Sequence, residues 1–178
     1  MPKINNKTIN YNVYRRDGGK AKLINDTSSL QLPSIEMITD TLKGSGIMGE
    51  IDMPTPGQIA SMVFTMNIKA SNEDSAYLIT PGIIRIEVRW VTDRFDTTSG
   101  KSVQVANKAF VTCYVKKFDE GKVETGAATD GSYEYEVVAY QRIMDGKEIL
   151  HINKLTGDFI INGKNYGKEL QGSVAKLL

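Results

Sequence analysis

Cysteine and histidine are almost absent from this sequence. Its 178 residues include one cysteine, Cys113, one histidine, His151, and one tryptophan, Trp90. A single cysteine forms no internal disulfide, and Cys113 and His151 together fall short of the four ligands of a structural zinc site. Excess charge is missing too: 22 Lys and Arg stand against 21 Asp and Glu, a formal +1. That removes the sequence-wide basic field on which counterion-release binding of nucleic acid depends. No apolar run approaches the ~18 residues of a membrane span, and the start, MPKINNKTINYNVYRR, lacks the apolar core of a signal peptide. The expectation is a protein made in the cytoplasm, with no membrane insertion of its own. At this size about 70% of the unfolded surface is buried on folding, so a single domain, residues 1–178, needs no disulfide or metal staple.

What the sequence has is alternation. Ile84, Ile86, Val88 and Trp90 alternate with Arg85, Glu87 and Arg89, which describes a half-buried strand with one wet face. Met62, Phe64, Met66 and Ile68 repeat the pattern, as do Ile9, Tyr11 and Val13. Val103, Val105, Ala109, Val111, Cys113 and Val115 form one face of a long strand, with Phe110 and Tyr114 on the other. Strand character continues from Tyr133 to Met144 and from Glu148 to Leu155. Asp145-Gly146 between two such runs is a strong hairpin signal, because a type I′ turn needs positive φ at both central residues. Tight turns with no regular βαβ alternation predict a mainly β fold, an antiparallel sandwich or barrel.

Two segments read as helix. Residues 71–80 begin with the capping types Ser71 and Asn72 and the acidic pair Glu73 and Asp74, and Pro81-Gly82 ends them. Residues 165–178 place Leu170, Val174, Leu177 and Leu178 at helical spacing, weakened by Gly167 and Gly172.

Residues 40–58, DTLKGSGIMGEIDMPTPGQ, fit neither pattern. They hold four glycines and two prolines with no sustained helix or strand period, and structureless stretches beyond about 12–15 residues are uncommon unless functional. Ile47, Met48, Ile51 and Met53 are too apolar for disorder, since burying each stabilises by roughly 1.5–3 kcal/mol. A long loop with such side chains is expected to lie on another surface, a neighbouring subunit in the favoured reading and its own domain in the alternative. Gly44-Ser45-Gly46-Ile47-Met48-Gly49 matches G-x-G-x-x-G by letter, but Thr39–Lys43 is a poor buried strand, and Pro54 and Pro56 forbid a helix soon after. No cofactor is expected.

Catalytic candidates are few. A two-residue turn at Asp145-Gly146 sets Tyr140 opposite His151, which reads as a sheet pair rather than a nucleophile's base. Cys113 on the valine-rich face reads as a small buried hydrophobe. Glu134 and Glu136 share one strand face, where a solvated surface is the plain reading. Tyr133, Tyr135 and Tyr140 offer the alternative function, a monomeric sandwich that binds a ligand such as carbohydrate. An enzyme is not expected.

Leu42–Gly57 (LKGSGIMGEIDMPTPG), the Asn72-Glu73-Asp74 helix start, Phe95–Gly100 (FDTTSG) and Asp145–Tyr166 (DGKEILHINKLTGDFIINGKNY) together resemble the major tail tube proteins of contractile-tailed bacteriophages. Matching stretches run from YNVYRRDGG to NGKNY, with departures in Gly121–Tyr133 and at the C-terminus. The resemblance implies a β-sandwich or barrel with a flanking α-helix. It further implies six-membered rings of this chain, stacked into a tube inside a contractile sheath. The tube would be nucleated on a baseplate initiator, meet tape-measure or terminator proteins, and pass DNA or effectors as cargo. The tubes of phage-tail-like bacteriocins and of type VI secretion have a similar fold. The resemblance places Gly44, Gly46, Gly49, Glu50, Asp52, Pro54 and Pro56 at subunit contacts. Ile47, Met48, Ile51 and Met53 join them on physical grounds.

Overall fold

The structure, a computed structural model, describes residues 3–168. Leu170, Val174, Leu177 and Leu178 of the expected C-terminal helix lie outside the described residues. The strands are β1 (Lys3–Asp17), β2 (Lys20–Ile24), β3 (Thr27–Gln31), β4 (Met37–Leu42), β5 (Ile51–Ile59), β6 (Met62–Ile68), β7 (Ile84–Asp96), β8 (Ser102–Asp119), β9 (Gly131–Met144), β10 (Lys147–Asn153), β11 (Asp158–Ile161) and β12 (Lys164–Asn165). Every pairing among them is antiparallel.

The main sheet follows the path β12-β11-β10-β9-β8-β7-β1-β2, and β6 with β3 branches from β9. The branch exists because β9 has two partners along one edge: Gly131–Val137 pair with β6, and Ala139–Met144 pair with β10. Opposite this junction the β8–β9 register slips between Thr112 and Cys113, leaving Val138 as the extra residue. A bulge bends its strand, and here the bend lets β6 and β3 fold back over the other strands. The Tyr11 hydroxyl then donates to the Thr27 carbonyl at 2.9 Å, joining β1 to β3 across the gap.

Alternation builds the core as expected. Met62, Phe64, Met66 and Ile68 from β6 meet Ile84, Ile86 and Val88 from β7, Ala109, Val111 and Cys113 from β8, and Tyr133, Tyr135 and Val137 from β9. Val103 departs from the pattern: it lies past the end of the core and is exposed. Asp145 (φ 51°) and Gly146 (φ 76°) both take the left-handed backbone that the β9–β10 turn requires.

Two expected elements differ. The flanking helix is a 3-10 turn over Ser75–Ile79, not an α-helix over 71–80. Asn72 Oδ1 accepts the Ser75 N–H at 3.0 Å while Ser75 Oγ donates to the Asn72 carbonyl at 2.6 Å, which closes a tight turn. Only Leu78 of its large side chains is buried, so no apolar stripe extends it. Residues 40–58 are likewise not a structureless loop. Most of them belong to a β4–β5 ribbon that forms a two-stranded sheet of its own. No period marks these strands because neither face is buried, so nothing imposes alternation on their side chains.

Candidate subunit interface

The ribbon is in register from Leu42↔Ile51 through Thr39↔Pro54, then slips before Met37↔Ile59. Each of its strands has one open edge. Pro54 and Pro56, which lack an N–H, are tolerated in a strand of that kind and not in a central one. The tip folds by Ile47 N–H donating to the Gly44 carbonyl at 3.2 Å and Gly49 N–H to the Ile47 carbonyl at 3.2 Å. Gly46 (φ 92°) and Gly49 (φ 108°) adopt a backbone that a β-carbon would strain. The G-x-G-x-x-G letters therefore join strand to strand, whereas dinucleotide binding uses a strand followed by a helix N-terminus.

Apolar side chains on the ribbon lie in solvent. Met48 at the tip is 98% exposed, with Ile51 at 48% and Met53 at 52%. Gly44, Gly46, Gly49, Glu50, Asp52, Pro54 and Pro56 are exposed as well, and Ile47 is half-buried. Local polar contacts hold the ribbon together: Lys43 pairs with Glu50 at 2.6 Å, and Thr41 Oγ1 donates to Asp52 at 2.9 Å.

The foot is tied to the main sheet. Ala60 N–H donates to the Glu36 carbonyl at 2.9 Å, and Lys154 Nζ donates to the Ala60 carbonyl at 2.8 Å. Ser61 Oγ donates to Glu136 at 2.5 Å, and Lys154 lies 3.7 Å from the same carboxylate. Glu136 thus anchors the ribbon, while its neighbour Glu134 pairs with Lys116 at 3.4 Å.

His151 does not face Tyr140. The β9–β10 register slips between Glu148 and Leu150, so His151 pairs with Gln141 and Ile152 with Tyr140. The extra residue is Ile149, and a bulge of that kind moves every later side chain to a new partner. His151 Nδ1 lies 3.6 Å from Glu148, a carboxylate that also accepts a hydrogen bond from Gln141 Nε2. Tyr133, Tyr135 and Tyr140 are buried in the core, with Tyr135 0% exposed. They present no ring face to a ligand, which removes the sequence basis for a carbohydrate-binding module. Cys113 is buried among them, and burial pushes its thiol up to about 12.

Glu87 departs from the wet face of β7 that the alternation predicts for it: it is 0% exposed. Cross-strand register sets it between Tyr14 on β1 and Phe110 on β8. Arg89 covers the Tyr14 ring at 4.6 Å, and Arg16 and Lys108 cover Phe110 at 5.8 and 5.7 Å. Their cationic groups converge on the carboxylate: Arg89 Nε at 2.6 Å, Arg16 Nη1 at 3.0 Å and Lys108 Nζ at 3.8 Å. Burial alone would raise the Glu87 carboxyl, but the Arg89 hydrogen bond and the three positive charges outweigh it and hold the group below its ordinary value. Aromatic neighbours at the paired positions on either strand were the available signal, but they needed the register to be read.

The sequence matches the family described as phage tail tube protein FII over residues 5–173. Among solved structures the chain is similar to the sheath/tube terminator of an extracellular contractile injection system, PVC, in its extended state. That likeness has a TM-score of 0.49 and 12% identity, covering 76% of this chain and 93% of the other. No curated protein matches the sequence.

Proposed function

We propose a tube-building role whose premise is that this chain belongs to the phage tail tube protein FII family. It is a tail tube protein, a structural part of a virion tail or tail-like particle. On that premise, copies close into rings of six, and the rings stack into a hollow tube enclosed by a contractile sheath. Growth starts on a baseplate initiator in the bacterial host cytoplasm and ends at a terminator, with a tape-measure protein setting the length. DNA or an effector passes through as cargo. A near-neutral chain suits a wall that must not hold phosphates by counterion release.

The observation that carries this reading is the exposed apolar ribbon. Rings and stacks need heterologous contacts, in which one patch meets a different patch on the next subunit. Gly44, Gly46, Ile47, Met48, Gly49, Glu50, Ile51, Asp52, Met53, Pro54 and Pro56 form a projecting patch of that kind. Its apolar side chains gain burial only when another surface covers them. Among the described residues, the end strands β2 and β12 also leave an edge open to pairing. Negative-stain electron microscopy of concentrated protein is the test, with rings or tubes expected. A chain that stays monomeric when concentrated, and also fails to add to a cognate baseplate, overturns the proposal.

A further inference from the structure

Near its C-terminal end β9 carries a cation with no acid beside it. Arg142 lies opposite Ala109 on β8 and Leu150 on β10. Its guanidinium lies over the Trp90 ring, 4.0 Å from the centroid, and Nη2 donates to Asn107 Oδ1 at 3.1 Å. Asn107 is fixed in turn, donating to Thr92 Oγ1 at 3.0 Å and to the Val105 carbonyl at 3.1 Å. The guanidinium is therefore pre-oriented. Nη1, however, is buried with no hydrogen-bond partner. No carboxylate among the described residues forms an ion pair with Arg142. Burial, unrelieved by an acid, pushes the group below the ordinary arginine range.

Arg142 borders an open cleft of about 580 Å³ between β3 and the β1–β7 pair, apolar at Tyr11, Val88, Leu30 and Leu32 and polar at Ser28 and Ser29. A desolvated cation is costly until an acceptor meets it, and a planar guanidinium matches a carboxylate. The ribbon offers both an acid and an apolar neighbour for such a cleft. Asp40, Glu50 and Asp52 against Lys43 leave it net acidic, and Glu50 lies at the tip, two residues from Met48. Glu50 and Asp52 each have one partner within the ribbon, Lys43 at 2.6 Å and Thr41 at 2.9 Å. The pair of Lys43 with Glu50 is solvent-exposed and exchangeable, and Glu50 is the acid nearer the tip. Nine residues of β5 at about 3.3 Å each give a reach of about 30 Å, enough to cross to another subunit.

Resting on the tube-subunit reading, we propose that the Arg142 cleft receives the ribbon tip of a second copy, with the Glu50 carboxylate on Arg142 and Met48 on the apolar lining. The test uses Ser45→Cys with Ser29→Cys, one at the tip and one in the cleft, leaving Met48, Glu50 and Arg142 in place. Cys113 stays out of the reaction because it is buried with its thiol pushed up to about 12. A short bis-maleimide added to assembled tubes should give a covalent ladder on denaturing gels, and dilute monomer should give none. Arg142→Glu should slow assembly at least tenfold, and Glu50→Arg in the same chain should restore it. If Arg142→Glu does not fold, the cysteine pair decides alone. Normal tubes without a ladder overturn the cleft assignment and leave the ribbon's role standing. A Met48→Asp chain that assembles normally overturns both.

Discussion

Lys154 Nζ donates to the main-chain carbonyl of Ala60 across 2.8 Å, joining the turn after β10 to the foot of the ribbon. Hydrogen bonds involving a charged group typically contribute about 1.5–3 kcal/mol, and this one falls short of that because the Lys154 side chain is partly solvated and fixes the ribbon's direction rather than the core. Lys154→Ala should therefore cost the monomer about 1 kcal/mol in chemical denaturation. Amide exchange over Met37–Ile59 should rise, and tubes should need a higher protein concentration. Unchanged exchange in the ribbon would show that Lys154 does not hold it.

Met48→Asp separates folding from assembly. A side chain this exposed makes few contacts to lose, so monomer stability should stay within about 0.5 kcal/mol of the parent. Tube formation, followed by sedimentation and electron microscopy, should stop. A loss of several kcal/mol in the monomer would place Met48 in the core instead.

Glu87 gives the fold a dependence on pH. Its folded pKa lies below the ordinary 4.5, so its contribution is complete above about 4.5 and is lost as the pH falls through the lower folded value. Glu87→Gln should remove that part of the acid sensitivity. At pH 7 it should cost about 1–3 kcal/mol, since Arg16, Arg89 and Lys108 lose their counter-ion but remain partly solvated. Parallel stability curves for parent and variant between pH 3 and 6 would contradict this.

Tyr135 is structural. Its hydroxyl donates to the Leu78 carbonyl at 3.2 Å and ties the 3-10 turn to β9. Tyr135→Phe should cost about 1–3 kcal/mol by leaving that carbonyl unpaired. Tyr135→Ala should cost about 3–5 kcal/mol by opening a cavity. A Tyr135→Ala chain of parental stability that loses saturable glycan binding would restore the binding-module reading.

The strands around the core were legible because alternation in Met62–Ile68 and Ile84–Trp90 is a local property imposed by one buried face. The ribbon was legible as an anomaly but not as two strands. Its side chains answer to no face within this chain, so β4 and β5 carry no period. The Tyr140–His151 pairing failed for a related reason. The turn at Asp145-Gly146 set the first two rungs correctly, through Lys147↔Met144 and Glu148↔Ile143, and the bulge at Ile149 then shifted the rest. No residue type at 149 announces a bulge.

By itself the sequence determined a mainly β chain, its main turns, most of its core face, and the segment that projects from it. These follow from side-chain period and backbone φ preferences, which act over a few residues. Tertiary structure decided which residues stand opposite one another. The bulge at Val138 lets β9 hold two partners and closes the fold over the core. Registers across β1, β7 and β8 bury Glu87 between Tyr14 and Phe110, and registers across β7, β8 and β9 leave Arg142 against Trp90 without an acid. Contacts of that kind join residues tens of positions apart, and only the summed packing of many strands fixes them.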